Sequence, residues 1–467
     1  MEKEFRKESD SVGEMSLDSE AYYGIQTLRA KENFEITGTK LSFAFVKNIV
    51  LIKKAAALVN KSYGLLEEAK ANAIIAACNE ILHGKHRRDF IVDAVQGGAG
   101  TSANMNVNEV IANIAIERLG GKKGDYSVIS PNDDVNMEQS TNDVIPTAGK
   151  LTVLTLAKEL IAELVRLENA LKKKAKEFDG ILKMGRTQLQ DAVPMRLGQA
   201  FRAFATAIAR SKERIEASLA EMRVINMGAT AIGTAINARE AYFVHITEEL
   251  SIHSGESLRR ADDLFDGTQN VDGFVAVSGA LKALSVNLSK MCNDLRLMSS
   301  GPRTGLGEII LPAKQNGSSI MPGKINPVIP EVVNQVAFLV IGHDVTVTMA
   351  AEAGQLELNA FEPVIFYQLF ESFRALTGAV KTLTDNCIVG IVANQERCAE
   401  WVNRSVGIVT ALNPYIGYLK AADIAKESLK TGEPIRSIVL REGLMDEKKL
   451  DEVLDLLLLT EPCGGKH

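Results

Sequence analysis

The sequence predicts a mainly α-helical fold built on long helices, and three observations support this prediction. Apolar side chains recur three and four residues apart over long segments, which is the spacing of one face of a helix. No segment alternates apolar and polar residues convincingly, so we expect little β-sheet. Aromatic residues make up only 5% of the 467 residues. The abundant Ala, Leu, Glu and Lys favour helices over β-sandwiches.

Composition and charge argue against several classes of protein. The chain is 46% hydrophobic, which is ordinary for a soluble protein. Its net charge of −6 argues against general nucleic-acid binding, which needs a basic surface. The apolar stretch 274–292 is interrupted by Lys282 and Asn287, so we do not expect it to cross a membrane. Residues 1–11 contain no apolar signal-peptide core, and we expect a cytoplasmic protein.

The cysteines favour the same compartment. There are five, an odd number, and no Cys-x-x-Cys pair is present. This pattern is not that of a disulfide framework or a zinc site. We expect small buried apolar residues in a reducing compartment at Cys78, Cys292, Cys387, Cys398 and Cys463.

The helical pattern begins after a polar N-terminal segment. Residues 1–42 are expected to be irregular, and helical periodicity starts near Phe43. It recurs at 68–83 and at 105–119. A long helix is expected from residue 147 onward. Its apolar stripe consists of Val153, Leu156, Leu160, Leu164, Leu167 and Leu171.

A second long helix follows a polar break at 183–191. Its apolar face consists of Leu197, Phe201, Phe204, Ile208, Ile215, Leu219 and Met222. Further helices are expected over 273–298, 327–354 and 359–396. Stripes of this length exceed what a monomeric domain of this size usually needs, so we expect a helical bundle shared between subunits.

We divide the chain into three domains. The first is an N-terminal helical domain over 1–141, and the second is a central helix-bundle domain over 142–396. A boundary is expected near 393–405, because Asn394 begins a new helical pattern after a long one. The third domain, 397–467, is expected to contain short helices.

The loop GSSIMPGKINP at 317–327 is the most concentrated polar segment of the chain. Gly317 and Gly323 are expected to adopt positive φ and to turn backbone N–H groups toward an anion. Pro327 fits the first turn of the following helix. A flexible loop with a fixed cation, ending at a helix N-terminus, is suited to holding a carboxylate or a phosphate.

Two further polar loops precede apolar segments. The loop QGGAGTSAN at 96–104 is rich in glycine, but it lacks the third glycine of a dinucleotide-binding motif and no strand precedes it. The loop NMEQSTND at 136–143 ends shortly before Pro146. Its simplest interpretation is a helix N-cap.

Other catalytic chemistries have little support in the sequence. None of the six histidines lies in these loops, and His83 and His86 lie among basic residues without clustered acids. No GxSxG, HExxH or Walker A motif occurs. Loops rich in Ser, Thr, Asn and Gln, with one lysine, suit a small carboxylate-bearing anion or an anionic intermediate. The residues alone leave the identity of the catalytic base open.

Several long strings are similar to signatures of the aspartase/fumarase superfamily. They include the run at 317–327, QGGAGTSANMNVNEVIAN at 96–113, QSTNDVIPTA at 139–148 and MGRTQLQDAVP at 184–194. The similarity extends from about residue 20 to about residue 445, and motifs of this length are highly specific. Within the superfamily the chain resembles the aspartate ammonia-lyases.

The resemblance implies a fold, an assembly and a reaction. It implies a mainly α-helical, three-domain subunit in a homotetramer around a shared helical bundle. Active sites would combine loops of three different subunits. The expected reaction is reversible elimination of ammonia from L-aspartate to give fumarate. Neither an organic cofactor nor a metal ligand is expected.

The resemblance also implies a role for each site residue. Ser318 would be the general base that takes the Cβ proton, and Lys324 and Asn326 would hold the α-carboxylate. Four hydroxyl side chains would surround the β-carboxylate, whose aci form is the intermediate: Thr101, Ser140, Thr141 and Ser319. Three polar side chains would lie near the leaving amino group: Asn142, Thr187 and Gln188. Loop 317–327 would close over the substrate.

Position 188 favours ammonia over water as the leaving group. Fumarases resemble GRTHLQDA here, with histidine, whereas Gln188 cannot act as an acid or a base. The alternatives are a fumarase-like hydro-lyase, a lyase of an N-substituted aspartate, and a non-catalytic member of the superfamily. The last would be expected to lose Ser318, Lys324 or Asn326, and all three are present.

Three features depart from the family pattern. Ala235 in GTAIN replaces a usual glycine, so a change in the neighbouring turn is expected. Ile114 stands where arginine is common. The tail 456–467 lacks the usual ending.

Overall fold

The structure is a computed structural model, and it describes residues 4–461. Helices dominate these residues, as the sequence predicts. They are α1 (Ile25–Asn33), α2 (Phe43–Ser62), α3 (Glu68–Leu82), α4 (Thr101–Arg118), α5 (Thr141–Glu177), α6 (Leu197–Ser218), α7 (Glu240–Ser254), α8 (Leu264–Gln269), α9 (Asp272–Met298), α10 (Val328–Glu352), α11 (Glu362–Asn386), α12 (Gln395–Arg404), α13 (Asn413–Ile416), α14 (Tyr418–Thr431), α15 (Ile435–Arg441) and α16 (Glu447–Val453).

Strands form two-stranded sheets only, within the described part of the chain. The pairs are β1 (Phe5–Asp10) with β2 (Gly13–Asp18), β3 (Leu182–Thr187) with β4 (Gln190–Arg196), β5 (Val224–Ile225) with β6 (Arg259–Arg260), and β7 (Ile309–Ile310) with β8 (Val392–Ala393). The β5–β6 pair is parallel and the others are antiparallel. The predicted low sheet content is confirmed.

The N-terminal region is more regular than the sequence predicts. The β1–β2 hairpin and α1 occupy much of the segment 1–42, so the expected irregular structure is wrong for its described residues. Glu8 of β1 is buried. Its Oε1 accepts from Arg6 Nε at 2.7 Å, and its Oε2 accepts from the backbone N–H of Ile25 at 2.8 Å. Because charged groups occupy the inward positions, the strand lacks the apolar alternation that identifies a strand in sequence.

The two long apolar stripes are confirmed as core, except that Leu156 is only partly buried. Leu219 and Met222 are buried but lie beyond the end of α6 at Ser218, so the second helix is shorter than predicted. In α5 the side chains of Leu160, Leu164, Leu167 and Leu171 are fully buried, and in α6 so is Phe201. The stripe follows the spacing at which residues three and four apart share one helix face. Burial of a leucine side chain stabilises the fold by about 1.5–3 kcal/mol.

Helix α5 begins at Thr141, six residues earlier than expected, and it contains Pro146. Proline has no backbone N–H, so the carbonyl of Asn142 lacks its usual helical donor. The side-chain Nδ2 of Asn226 donates to this carbonyl at 3.0 Å instead. A tertiary contact therefore lets the helix start before the proline.

Helix α11 is shorter than expected, because it ends at Asn386 and not near 396. A short turn and β8 follow, and the new helix predicted after Asn394 is confirmed as α12. The Asn394 side chain caps it by accepting from the backbone N–H of Arg397 at 3.2 Å. Short helices then pack around buried Leu412, Ile424, Ile435, Ile438, Val439, Leu450 and Val453.

The chain separates into two compact units. The first contains the residues up to Ile161, Glu213–Ser285 and Phe338–Leu376. The second contains Ala162–Lys212, Val286–Ala337 and the residues from Thr377 onward. The division into domains at 141 and 396 stays a prediction.

Four of the five cysteines lie within the described residues, and all four are free and buried: Cys78, Cys292, Cys387 and Cys398. Burial raises the pKa of the Cys78 thiol to about 12, so it stays protonated at neutral pH. This confirms the expected small, buried residues. Cys463 lies outside the described residues.

Helix α10 carries an apolar surface. Among residues 4–461 it is the one helix long and apolar enough to cross a membrane by length and composition, a weak criterion that core helices of soluble proteins also meet. Phe338, Val345 and Met349 are each more than half exposed in the single chain.

Candidate active site

Thr101 is the first residue of α4, so this helix begins four residues earlier than expected. The three preceding residues, Gly98, Ala99 and Gly100, all have positive φ. A Cβ on Gly100 would lie 2.8 Å from a methyl carbon of Ile145, so only glycine fits here. Thr101 is exposed, and its hydroxyl donates to the carbonyl of Gly98 at 2.7 Å. The tight turn thus presents a helix N-terminus and a hydroxyl at the surface.

Ser140, Thr141 and Asn142 form the start of α5 and are organised by Asp143. This aspartate is fully buried. Its side chain accepts from the backbone N–H groups of Ser140 at 3.0 Å, Gly228 at 3.1 Å and Thr230 at 3.2 Å. Burial raises the pKa of Asp143 to about 6, and these hydrogen bonds oppose the rise. Ser140 Oγ in turn accepts from the backbone N–H of Asn142 at 3.3 Å, which is the contact of the predicted N-cap.

The side chains of Thr141 and Asn142 make different contacts. Asn142 Nδ2 donates to the carbonyl of Ala231 at 2.7 Å, which leaves one amide hydrogen for another acceptor. Thr141 Oγ1 accepts from Asn104 Nδ2 at 3.3 Å. Asn104 lies one turn after Thr101 in α4, so this contact links the two helix starts.

A cavity of about 200 Å³ adjoins Ser140. It is lined by Glu138, Gln139, Ser140, Thr230, Ala231, Ile236 and Asn237. Of these, only Ser140 had a role predicted from the sequence, and the segment 230–237 was not predicted to line a site. Glu138, Thr230 and Asn237 have positive φ, which is costly for a β-branched threonine. Backbone strain of this kind often clusters at functional sites. One indication of this strained segment was present in the sequence, namely Ala235 at a position where the family has glycine. Ala235 also has positive φ.

Thr187 and Gln188 lie at the tip of the β3–β4 hairpin, which occupies the polar break predicted at 183–191. Thr187 pairs with Gln190, and the two residues between them, Gln188 and Leu189, have φ of 55° and 63°. A two-residue turn with both φ positive is a type I′ turn, which normally prefers Asn-Gly. The hairpin tip is exposed and strained.

A buried carboxylate anchors the base of this hairpin. Glu308 is fully buried. Its Oε1 accepts from Arg186 Nη1 at 2.7 Å, and its Oε2 lies 3.3 Å from Lys183 Nζ. The backbone carbonyl of Glu308 accepts from Asn394 N at 2.9 Å. Glu308 comes directly before β7, and so the hairpin and the strand leading toward loop 317–327 share one anchor.

The loop 317–327 folds around Ser318. Its Oγ accepts from the backbone N–H groups of Ile320 at 3.3 Å and Met321 at 3.0 Å. Ser319 and Lys324 are exposed. The loop ends at α10, whose first residue follows Pro327, so the expected helix N-terminus is confirmed.

The two glycines of this loop act differently. Gly323 has a φ of 77°, as expected, whereas Gly317 does not have positive φ and that expectation is wrong. A Cβ on Gly317 would lie 2.6 Å from the carbonyl oxygen of Lys324, so glycine is required for close approach. The Gly317 N–H donates to that oxygen at 2.7 Å, and Asn326 Nδ2 donates to the Gly317 carbonyl at 2.7 Å.

The predicted site residues form two groups. The first residue group lies in the first unit and comprises Thr101, Ser140, Thr141 and Asn142. The second residue group lies in the second unit and comprises Thr187, Gln188, Ser318, Ser319, Lys324 and Asn326. Among residues 4–461, no cluster of His, Cys, Asp and Glu has a geometry that could hold a metal ion.

Comparisons with known proteins identify the family of the chain. Residues 13–342 match the family described as Lyase, and residues 408–461 match the family described as Fumarase C C-terminus. The chain is 52% identical to aspartate ammonia-lyase of a Bacillus species, with 99% of both chains covered. It is also 52% identical to aspartate ammonia-lyase of Helicobacter pylori, again with 99% of both chains covered.

Solved structures of related proteins have the same fold. The fold matches fumarate lyase:delta crystallin from Brucella melitensis bound to cobalt, with a TM-score of 0.96 and 50% identity over 98% of this chain and 100% of that one. It matches class II fumarase from Schistosoma mansoni with a TM-score of 0.93 and 32% identity, over 98% and 100% of the two chains. The chain therefore belongs to the aspartase/fumarase superfamily and, within it, to the aspartate ammonia-lyase family.

Proposed function

We propose that this protein is a carbon–nitrogen lyase that converts L-aspartate reversibly into fumarate and ammonia. The observation that carries this proposal is 52% identity with aspartate ammonia-lyases over nearly the whole chain. The required chemistry is removal of a Cβ proton next to a carboxylate. The resulting aci-carboxylate carries extra negative charge, so the site needs a base and several fixed donors.

Ser318 is the proposed base. A serine hydroxyl removes a proton only if negative charge on its oxygen is stabilised. Two backbone N–H groups, those of Ile320 and Met321, already donate to this oxygen. Lys324, six residues further on, brings a positive charge to the same loop. These contacts support Ser318 as a base without a histidine partner.

The carboxylates of the substrate are the proposed partners of the remaining residues. Lys324 and Asn326 hold the α-carboxylate, and Asn326 Nδ2 keeps a second hydrogen for this purpose beyond its bond to Gly317. The β-carboxylate is held by Thr101, Ser140, Thr141 and Ser319. The amino group lies near Asn142, Thr187 and Gln188. No step requires a cofactor.

Loop 317–327 is the proposed lid. Its side chains Ile320, Met321 and Ile325 are exposed apolar residues, with Ile320 84% exposed. A loop with exposed apolar side chains and a glycine at positive φ can close over a substrate and exclude water. Closure would bring Ser318 to Cβ only after the substrate is bound.

A homotetramer in the cytoplasm is the proposed state of the enzyme. The exposed Phe338, Val345 and Met349 of α10 form apolar surface that a shared helical bundle would cover. The free, buried cysteines fit a reducing compartment. Sedimentation of the purified protein should give four times the subunit mass of 50.6 kDa. A stable monomer would contradict this assembly.

The alternatives differ in the leaving group. A hydro-lyase or a lyase of an N-substituted aspartate would use the same carboxylate donors. Gln188 at the hairpin tip favours ammonia, since it cannot donate a proton to a leaving hydroxide. The test is fumarate absorbance after mixing the protein separately with L-aspartate and with L-malate. Fumarate from aspartate alone supports the proposal, and fumarate from malate alone contradicts it. No fumarate from either would favour the substituted substrate or a non-catalytic protein.

A further inference from the structure

A buried lysine lies in the first unit, beneath the two helix starts. Lys53 of α2 is fully buried, which is rare for lysine unless its ammonium is hydrogen-bonded. Its Nζ donates to Asn136 Oδ1 at 2.7 Å. Burial lowers the pKa of Lys53 to about 7, and in the protonated form Nζ has donors and no acceptor, so the oxygen of the Asn136 amide then faces it. Lys53 thereby determines which way this amide points.

The orientation of Asn136 determines the orientation of two amides on α4. Asn136 Oδ1 also accepts from Asn104 Nδ2 at 3.1 Å and from Asn108 Nδ2 at 3.2 Å. Its own Nδ2 donates to the carbonyl of Gln139 at 3.1 Å. The side-chain oxygens of Asn104 and Asn108 are buried without a hydrogen-bond partner among the described residues. If the amide of Asn104 or Asn108 were flipped, its hydrogen bond to Asn136 Oδ1 would be broken. One orientation of these amides is therefore strongly favoured.

The chain of contacts ends at Thr141. An amide NH₂ has two hydrogens, and Asn104 uses the second to donate to Thr141 Oγ1 at 3.3 Å. A hydroxyl oxygen that accepts from a neighbour keeps its own hydrogen free to donate elsewhere. Thr141 is partly exposed, so this hydrogen can reach a ligand.

We propose that Lys53, Asn136 and Asn104 are positioning residues that set the Thr141 hydroxyl as a hydrogen-bond donor to a carboxylate of the substrate. This inference rests on the proposed function, and it assigns roles to the buried Lys53 and Asn104 and the partly buried Asn136, which do not touch the substrate. The order of action runs from the ammonium of Lys53 through the amides of Asn136 and Asn104 to the hydroxyl.

The chemistry explains why the direction of one hydroxyl matters. When the Cβ proton is removed, negative charge develops on the β-carboxylate, and donors fixed in advance stabilise it most. A hydroxyl that has to rotate before it donates is less effective. The arrangement should therefore contribute to kcat as well as to substrate binding.

The decisive variant is Asn104→Asp, which keeps the side-chain shape and replaces the donor with an acceptor. The Thr141 hydroxyl is then expected to donate to Asp at position 104 and to turn away from the substrate. A hydrogen bond to a charged group contributes enough that kcat/KM should fall about ten- to hundredfold, with part of the loss in kcat. The dissociation constant of succinate, a dicarboxylate of the same length without the amine, should rise in parallel.

A double-mutant cycle with Thr141 distinguishes a positioning role of Asn104 from a general loss of protein stability. In a Thr141→Val background the Asn104→Asp change should cost little more, because the hydroxyl it acts on is gone. Thr141→Ser, which restores a hydroxyl, should restore the sensitivity. Equal losses in the two backgrounds would overturn the proposal.

Asn108→Asp is the matched control, because Asn108 donates to the same Asn136 oxygen but does not contact Thr141. We expect a smaller loss of kcat/KM than for Asn104→Asp, and an equal loss would count against the proposal. If Asn104→Asp does not fold, Lys53→Met provides the same test through the double variant with Thr141→Val. An inactive wild-type protein would contradict the proposed function. If the wild type is active but the effects of Asn104→Asp and Thr141→Val on kcat/KM are additive, only this inference is contradicted.

Discussion

The two residue groups are held in place by different means. In the first group, Asp143 is fully buried and fixes the start of α5 through three backbone N–H groups. In the second group, Gln188 lies on an exposed turn with positive φ, and Ser318 lies in a loop whose tip, Ile320, is 84% exposed. Both groups are rich in hydroxyls and amides, and each is connected to a buried carboxylate. Asp143 binds the backbone of the site residue Ser140 itself, whereas Glu308 binds the base of the hairpin and not its tip.

This difference suggests a division of labour in the proposed reaction. Donors that stabilise developing charge work best when they are fixed before the reaction. A base that has to approach Cβ after the substrate is bound needs a segment that can move, and such segments come from the less stable parts of a fold. The first group has the properties of the fixed donors, and the second has those of the moving part.

The largest effect is expected from removing the base on the exposed loop. Ser318→Ala should lower kcat about a hundred- to ten-thousandfold, because general base catalysis contributes that much. The dissociation constant of succinate should change little, since no carboxylate donor is lost. Ser319→Ala, in the same loop, should mainly raise KM. Comparable losses of kcat in the two variants would remove the assignment of Ser318 as base.

The anchor of the second group is expected to be its weak point. Glu308→Gln leaves Lys183 and Arg186 without their buried partner, and breaking such a pair costs about 3–5 kcal/mol. Denaturant unfolding should therefore start at a clearly lower concentration. Glu400→Gln, at an ion pair with Arg397 on α12, should have a much smaller effect. If the two variants unfold alike, the hairpin does not depend on Glu308.

The first unit is expected to carry the stronger pH dependence, because it buries unpaired titratable groups. Glu362 is almost fully buried, and its two carboxylate oxygens have no hydrogen-bond partner among the described residues. Burial raises its pKa from 4.5 to about 8, against the opposing influence of Lys150. Folding therefore favours its protonated form. Its contribution to stability is full below pH 4.5 and is lost as the pH rises toward 8.

Glu362→Gln tests this dependence. Between pH 5 and 8 the free energy of unfolding of the wild type should fall relative to that of the variant by at most about 1.4 kcal/mol for each pH unit. The measurement is denaturant unfolding of both proteins across this range. Parallel pH profiles would mean that Glu362 ionises as freely in the folded as in the unfolded protein.

The smallest expected effect compares backbone strain in the two units. Ala235 in the first and Leu189 in the second both have positive φ. Ala235→Gly and Leu189→Gly should each stabilise the fold by about 0.5–1 kcal/mol, because glycine adopts this conformation without strain. Thermal unfolding measures both. Ala235→Gly should leave kcat/KM unchanged, and a loss of stability would mean that the alanine methyl group contributes packing that outweighs the strain.

The sequence alone determined the helical class, the long buried stripes and the chemistry of the polar loops. These depend on short-range patterns, such as the spacing of leucines along α5 or the run of hydroxyls before it. Such patterns determine local structure through residues close together in the sequence. The motifs at 96–113 and 317–327 were also long enough to indicate the family.

The tertiary structure alone decided the details that depend on distant partners. Asn226 allows α5 to start before Pro146. Arg6 and Glu8 form an ion pair in β1, so this strand lacks the apolar alternation by which a strand is recognised in sequence. Lys53 orients an amide 83 residues away in the chain. Gly317 is glycine because a carbonyl approaches it, and its φ is not positive. A buried polar group has to find a partner wherever the fold provides one, and that partner is not encoded in the neighbouring residues.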